Sequence, residues 1–381
     1  LAKVLNIETD IFADGYNNYK DTIKRLIKDI NKKNIEKKNK AAKLFQKVCA
    51  IEKLKQEAKA LENKTKYNPA LDTVKAYPSI RINSNKLNTD DMLLNTPTGI
   101  VDLTTGKLHP HDSKYLFTQC TDAEYRQGYH NEIVDQFIKD VLPDDEDREA
   151  FLLFCGYVLT GSVKDEKALF LTGGGRNGKG SCTKAILQAL GNKDDGFAVP
   201  FKIDSILQST YTKDGDAASP EFAKLQHKRC AISEEIPKGR KLNEALFKQL
   251  TGGDPLSVRR LRCDPFVIIP QFKMILSGNY LPELDDANDI GLRERLLIVP
   301  FTQSFTGDKC NPNIKTLLLT PDCQCALLSL FVEYCLKWQK TGLLTSKNMA
   351  KFKQNYLDEN DVIGNFIDEY CERGNDNEYS I

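Results

Sequence analysis

No apolar run in the sequence approaches the roughly 20 residues that a membrane-crossing helix requires. Runs such as Phe266 to Pro270 and Leu296 to Phe301 are far shorter, so no membrane span is expected. Cys-x-x-Cys pairs are missing too: the eleven cysteines are odd in number and scattered from Cys49 to Cys371, and only Cys323 and Cys325 lie close together. That distribution argues against a disulfide framework or zinc site and for reduced, buried thiols in a cytoplasmic compartment. His109 and His111, two of only four histidines, flank a proline with no ligand cluster beside them and read as turn residues rather than metal ligands. After Leu1 there is no charged-then-apolar leader, so the chain is expected to be a fragment of something longer, with an N-terminal partner domain missing. There is little net charge, at +1, but it is unevenly spread. Between Lys20 and Lys66, sixteen Lys or Arg face six Asp or Glu; such a stretch fits a solvated helical face, or a track for nucleic-acid phosphates.

What is present belongs to a globular chain: 381 residues, 40% apolar and 28% charged, allow two or three domains with cores. From Asn39 to Asn63, Leu44, Val48, Ile51, Leu54, Ala58 and Leu61 recur at three and four residues, one stripe of an amphipathic helix that Asn68-Pro69 ends. Short extended runs come next (Ile80 to Ile82, Ile100 to Leu103, Leu116 to Thr118), separated by turn residues. Helical periodicity returns from Ile133 to Thr160, broken at Pro143, with Asp144 placed to cap the second helix. From Lys167 to Thr302 strands and helices alternate, as in an α/β layered domain with a mainly parallel sheet. Beyond Gly307 the chain turns helical, with Leu327, Leu328, Phe331, Val332, Cys335 and Leu336 on one face of a helical lid or collar. The expected divisions are a basic helical segment (1–67), a small mixed α/β module (68–130), the α/β core (131–305) and a C-terminal helical domain (306–381).

Ala168-Leu169-Phe170-Leu171 reads as a buried strand, and Gly173-Gly174-Gly175-Arg176-Asn177-Gly178-Lys179-Gly180-Ser181 follows at once, opening a helix through Cys182 and Ile186. Strand, glycine loop and helix together form a phosphate-binding context. Glycines let backbone N–H groups converge on an anion at a helix N-terminus, and Lys179 supplies a cation for the β- and γ-phosphates of ATP. Gly180 stands where a Mg2+-binding hydroxyl is usual, which leaves that ligand open between Ser181 and water. Cys230-Ala231-Ile232-Ser233 is a second buried strand delivering Glu234 and Glu235, one suited to hold Mg2+ and the other to polarise water. A third, Phe272 to Leu276, ends in Ser277-Gly278-Asn279, and its amide could orient water beside the γ-phosphate. Arg293 and Arg295 precede the apolar Leu296 to Val299; they are surface ion-pair partners or, reaching a neighbouring subunit, stabilisers of the transferring phosphoryl group. Leu256 to Ile269 reads as a hairpin carrying Arg259, Arg260 and Arg262, able to touch a DNA backbone or to pair with acidic neighbours.

In this order, and with Leu-Thr-Gly-Gly-Asp at 250–254 between the second and third, these motifs resemble those of superfamily 3 helicases, more narrowly the helicase module of phage, plasmid and poxvirus-type primase-helicases. The likeness runs from about Leu93, through Asn95-Thr96-Pro97-Thr98-Gly99, to Phe305; the first ninety residues are unassigned. It implies an AAA+ P-loop three-layer core assembling into a hexameric ring, with ATP between subunits and single-stranded DNA through the centre. By motif position Lys179 would be the Walker A lysine, Glu234 and Glu235 the Walker B pair, Asn279 the sensor and Arg295 the finger acting in trans, with Arg293 the weaker candidate. A priming or polymerase domain would precede the chain in the full-length protein, which would work in the cytoplasm of a host cell. Remaining alternatives are a partner-loading ATPase of the same fold, an assembly or origin-binding scaffold without unwinding, and, distantly, a small-molecule kinase.

Overall fold

The computed structural model describes residues 86–208, 220–307 and 310–370, together with 46–47, 53, 73–74, 77, 82, 372–373 and 379–380. The helix expected over Asn39 to Asn63 and the run at Ile80 lie largely outside the described residues. Two compact units divide the chain, Leu1–Ser84 and Asn85–Ile381. The second contains the parallel sheet and the two hydrophobic cores that cover it.

An antiparallel meander opens this second unit: β1 (Leu93–Thr96), β2 (Gly99–Asp102) and β3 (Lys107–His109). Gly99 is required at the first turn, because a Cβ there would sit 2.4 Å from the His109 carbonyl oxygen. The run at Leu116 to Thr118, expected to be extended, is irregular instead. Leu116 closes a short turn in the left-handed conformation, and Thr118 N–H donates to Asn88 Oδ1 at 2.8 Å rather than to a strand. Helices α1 (Glu132–Val141) and α2 (Asp145–Val158) come next, each capped by the preceding side chain; Asp144 accepts from Asp147 N–H at 2.9 Å, as its position in the sequence led one to expect.

The centre is then laid down as β4 (Ala168–Thr172), α3 (Lys179–Leu190), β5 (Ala198–Pro200), α4 (Pro220–Ala223), β6 (Cys230–Glu234), α5 (Glu244–Gly252), the hairpin strands β7 (Leu256–Arg259) and β8 (Pro265–Ile268), β9 (Lys273–Gly278), α6 (Ile290–Arg295) and β10 (Leu296–Pro300). Five strands form one sheet in the order β10-β4-β9-β6-β5, every adjacent pair parallel. This is the α/β fold with a parallel sheet that the alternating pattern implied. Apolar residues alternate between the two faces: Leu169 and Leu171 enter a core shared with α2 and α3, whereas Ala168 and Phe170 enter another shared with Phe247 and Leu292. Both faces are covered, which explains why the strands read as unbroken apolar runs.

After β10 come α7 (Ile314–Leu318), α8 (Pro321–Thr341), α9 (Lys347–Asn360) and α10 (Val362–Tyr370). The expected lid is corrected here: α8 is part of the core. Phe331, Cys335 and Trp338 are buried with α2, and the helices approach so closely that a Cβ on Gly156 would lie 2.3 Å from the Cys335 amide nitrogen. Trp338 Nε1 donates to Asp165 Oδ2 at 2.6 Å.

At the amino ends of the strands three cations are buried against backbone carbonyls. Arg229 donates to Leu159 (2.5 Å), Asp90 (2.9 Å) and Leu93 (2.7 Å). Lys273 donates to Thr160, Ser162 and Gln271, and Lys228 to Asp194 (2.8 Å) and Gly196 (2.5 Å). No helix among the described residues is long and apolar enough to cross a membrane.

Candidate phosphate-binding site

Thr172 ends β4 and the glycine loop turns the chain into α3. Gly173 (φ +156) has no room for a side chain, since a Cβ would meet Asn177 Nδ2 at 2.3 Å and the Phe301 carbonyl oxygen at 2.4 Å; one on Gly178 (φ +89) would meet Val141 at 2.4 Å. Around Gly174, Gly175 and Gly180 the space is open. Their bare backbone therefore faces room that an anion can use. Gly178 caps α3 without a side-chain hydrogen bond, leaving the helix N-terminus electrostatically receptive.

Lys179 is buried, which lowers its pKa from the ordinary lysine value. Its Nζ donates to the Gly173 carbonyl (2.8 Å), Asn177 Oδ1 (3.2 Å) and Asn279 Oδ1 (3.4 Å), so the fold brings loop and third-strand amide together. Asn177 in turn donates to the Phe301 carbonyl at 3.2 Å, tying the loop to the end of β10. Glu234 emerges at the end of β6, and Thr183, which the motifs did not single out, donates to its Oε1 at 2.8 Å. The spacing contains that signal: Thr183 lies one helical turn beyond Lys179, on the same face of α3. Glu235 is exposed and takes a left-handed φ of 70°, an unusual conformation for a non-glycine residue.

Ser181 is buried, and with Arg176, Asn177, Gly178 and Gly180 it lines a cavity of about 1150 Å³ whose far wall is Phe137 and Asp140 of α1 and Phe305. Cys182 contributes backbone only, since its side chain is in the core and burial pushes its thiol up to about 12. Ser181 hydroxyl, Glu234 and Glu235 are oxygen donors of the kind Mg2+ prefers. Among the described residues no group of three or more His, Cys, Asp or Glu converges.

Two groups of expected site residues stand apart. Arg295 pairs with Glu166 and also donates to Thr251 Oγ1 (3.0 Å) and the Gly291 carbonyl (2.7 Å). It precedes Leu296, the partner of Ala168 at the start of β4, so about 13 Å of strand separates it from the loop of its own chain. Arg293 donates to Gln354 Oε1 at 3.4 Å. Arg259, Arg260 and Arg262 stand on the hairpin and its turn; the hairpin closes at Ile268 rather than Ile269, and its turn spans Arg260 to Asp264, with Pro265 already in the second strand. Arg260 lies over the Phe266 ring at 4.8 Å and donates to Gln226 at 2.8 Å.

Residues 4–143 match the family described as D5 N terminal like. Among similar proteins, one of Acanthamoeba polyphaga mimivirus named "Putative helicase" is 26% identical over 308 residues, 75% of this chain and 31% of its own length. One of African swine fever virus named "Putative primase" is 23% identical over 270 residues, 67% of this chain and 27% of its own. These likenesses support a superfamily 3 primase-helicase of the D5 type. A helicase-named protein of Frog virus 3 agrees, at 27% identity over 257 residues, 63% of this chain and 26% of its own. The chain thus spans between about a quarter and a third of these relatives' length. Its family match begins at residue 4, inside the ninety residues that the motifs left unassigned. Among solved structures it is similar to the NrS-1 C-terminal region, with a TM-score of 0.48 and 12% identity over 65% of this chain and 56% of that one.

Proposed function

We propose that this D5-type chain is the ATP-driven motor of a viral replication protein, an AAA+ module that forms a hexameric ring and moves single-stranded DNA through its centre. The observation that carries this is the meeting of Lys179 and Asn279 at 3.4 Å, with Glu234, at the end of β6 on the other side of β9, held by Thr183. Three separate strand ends deliver a cation, a carboxylate and an amide to one place, as hydrolysis of a phosphoanhydride demands.

The loop amides and Lys179 hold the β- and γ-phosphates, and the cavity beside α1 takes the nucleoside. Glu234 and Ser181 would hold Mg2+, which neutralises phosphate charge when bound. Glu235 polarises the attacking water and Asn279 orients it. Arg295 serves the nucleotide of an adjacent subunit, exchanging Glu166 for phosphate as it does so. The hairpin arginines grip the DNA backbone, and a primase or polymerase domain of the same full-length protein supplies the partner activity. Strand displacement on a forked substrate tests the reading. ATPase activity stimulated by single-stranded DNA without any unwinding would sink the helicase assignment, and a Glu235→Gln chain that functions normally would favour an assembly scaffold instead.

A further inference from the structure

Four cations gather at the edge of the sheet opposite the phosphate loop. Lys167 immediately precedes β4, Arg293 and Arg295 lie in α6, and Lys353 lies on α9, which packs along the edge strand β10. Three of them have acceptors within the chain. Lys167 donates to the Glu294 carbonyl, Arg293 to Gln354, and Arg295 to Glu166, Thr251 and Gly291. Lys353 is half-buried and has no hydrogen-bond or ion-pair partner among the described residues.

Burial pulls its amine down to about 8, and Lys167 and Arg293 act in the same direction against a single nearby carboxylate, Glu294. A half-buried ammonium without an acceptor is unfavourable, and like charges around it make it more so. An anion arriving from outside removes both penalties. The chain's own nucleotide cannot be that anion, because the loop lies at the other end of β4.

We propose that Lys353 is a phosphate contact for the nucleotide held in the loop of a second copy of this chain, acting beside Arg295, with Lys167 and Arg293 on the rim. The proposal rests on the ring reading above and adds to it a residue from the C-terminal helices.

The test is Lys353→Met in the full chain, with Lys353→Arg as the conservative variant. Lys353→Met is expected to lower kcat for ATP by about tenfold or more, while its thermal midpoint stays level or rises because an unpaired charge has gone. Lys353→Arg is expected to recover most of the rate. Mixing Lys353→Met with Lys179→Ala chains is expected to give more activity than either alone, because one of the two kinds of hybrid interface joins the intact loop of a Lys353→Met chain to the intact cation cluster of a Lys179→Ala chain.

An oligomer in which Lys353→Met keeps the full rate overturns this proposal and leaves the ring standing. A wild-type chain that hydrolyses ATP as a monomer, by particle mass with an ATP analogue, overturns both. Lost activity that mixing does not recover shows that Lys353 acts within its own chain, against the proposal. Unchanged hydrolysis with weaker single-stranded DNA binding and a salt slope shallower by about one assigns the phosphate to DNA, also against it.

Discussion

At the amino ends of the central strands, Arg229 and Lys273 are wholly buried and spend their hydrogen bonds on the carbonyls of Asp90, Leu93, Leu159 and Thr160. At the carboxyl ends, Lys179 shares its protons between two side-chain amides and one carbonyl, and Glu235 and Asn279 are exposed. The same sheet thus carries cations used as staples at one end and cations kept exchangeable at the other. Backbone carbonyls anchored in a meander and a helix terminus cannot move without unfolding something. Asparagine side chains can rotate away.

Substitutions can break this comparison, and the largest expected effect is on the exchangeable side. Lys179→Ala should reduce ATP turnover on the order of 10³-fold while the thermal midpoint scarcely moves; a comparable loss of stability would mean that this end is a staple too. Arg229→Met should do the reverse. Three buried carbonyls lose their donor, at a cost of about 3 kcal/mol in urea unfolding, with residual ATP binding in the folded fraction. Glu235→Gln should slow turnover about 10²-fold with ATP retained, as a filter-binding assay would show.

Lys273 gives a smaller effect whose sign follows from linkage. Burial, with repulsion from Arg229, lowers its folded pKa to about 7 from the ordinary 10.5. Between these values the unfolded chain binds more protons, so stability rises with pH; below about 7 both states are protonated and the slope vanishes. Wild type should gain about 1 kcal/mol over Lys273→Met between pH 7 and 8, read as the difference between the two unfolding curves. Thr183→Val should have the mildest effect, a few-fold loss of turnover from a Glu234 that is less well held, roughly the value of one hydrogen bond.

Much of the carboxyl end was legible in the sequence because its information is local. Glycines, Lys179 and the strand before them are contiguous, and Glu234 and Asn279 each sit directly after an apolar run. The hairpin was legible for the same reason, as two extended runs around a turn, although the turn falls at Arg260 to Asp264 rather than at Cys263-Asp264-Pro265. The staple end was not, because its logic is long-range: Arg229 answers to carbonyls 136 and 139 positions away, and Glu166 meets Arg295 across 129. Such partners leave no periodicity. Helix α8 misled for a related reason, since an apolar stripe shows that a face is covered without naming what covers it. The small residue that decides the matter, Gly156, is on another helix. Leu116 to Thr118 looked extended by composition, yet the Asn88 side chain provides its hydrogen bond.

The bonds that hold Lys179 also set which visitors the loop admits. A cation with no partner would seize any passing anion, orthophosphate included. Here an incoming group must first outcompete a carbonyl and two amides, a trade that one phosphate oxygen barely balances. A polyphosphate that engages the loop amides at the same time comes out ahead. If the loop holds nucleotide as proposed, it is a threshold detector for chains of phosphate, and abundant inorganic phosphate should be a poor competitor for it.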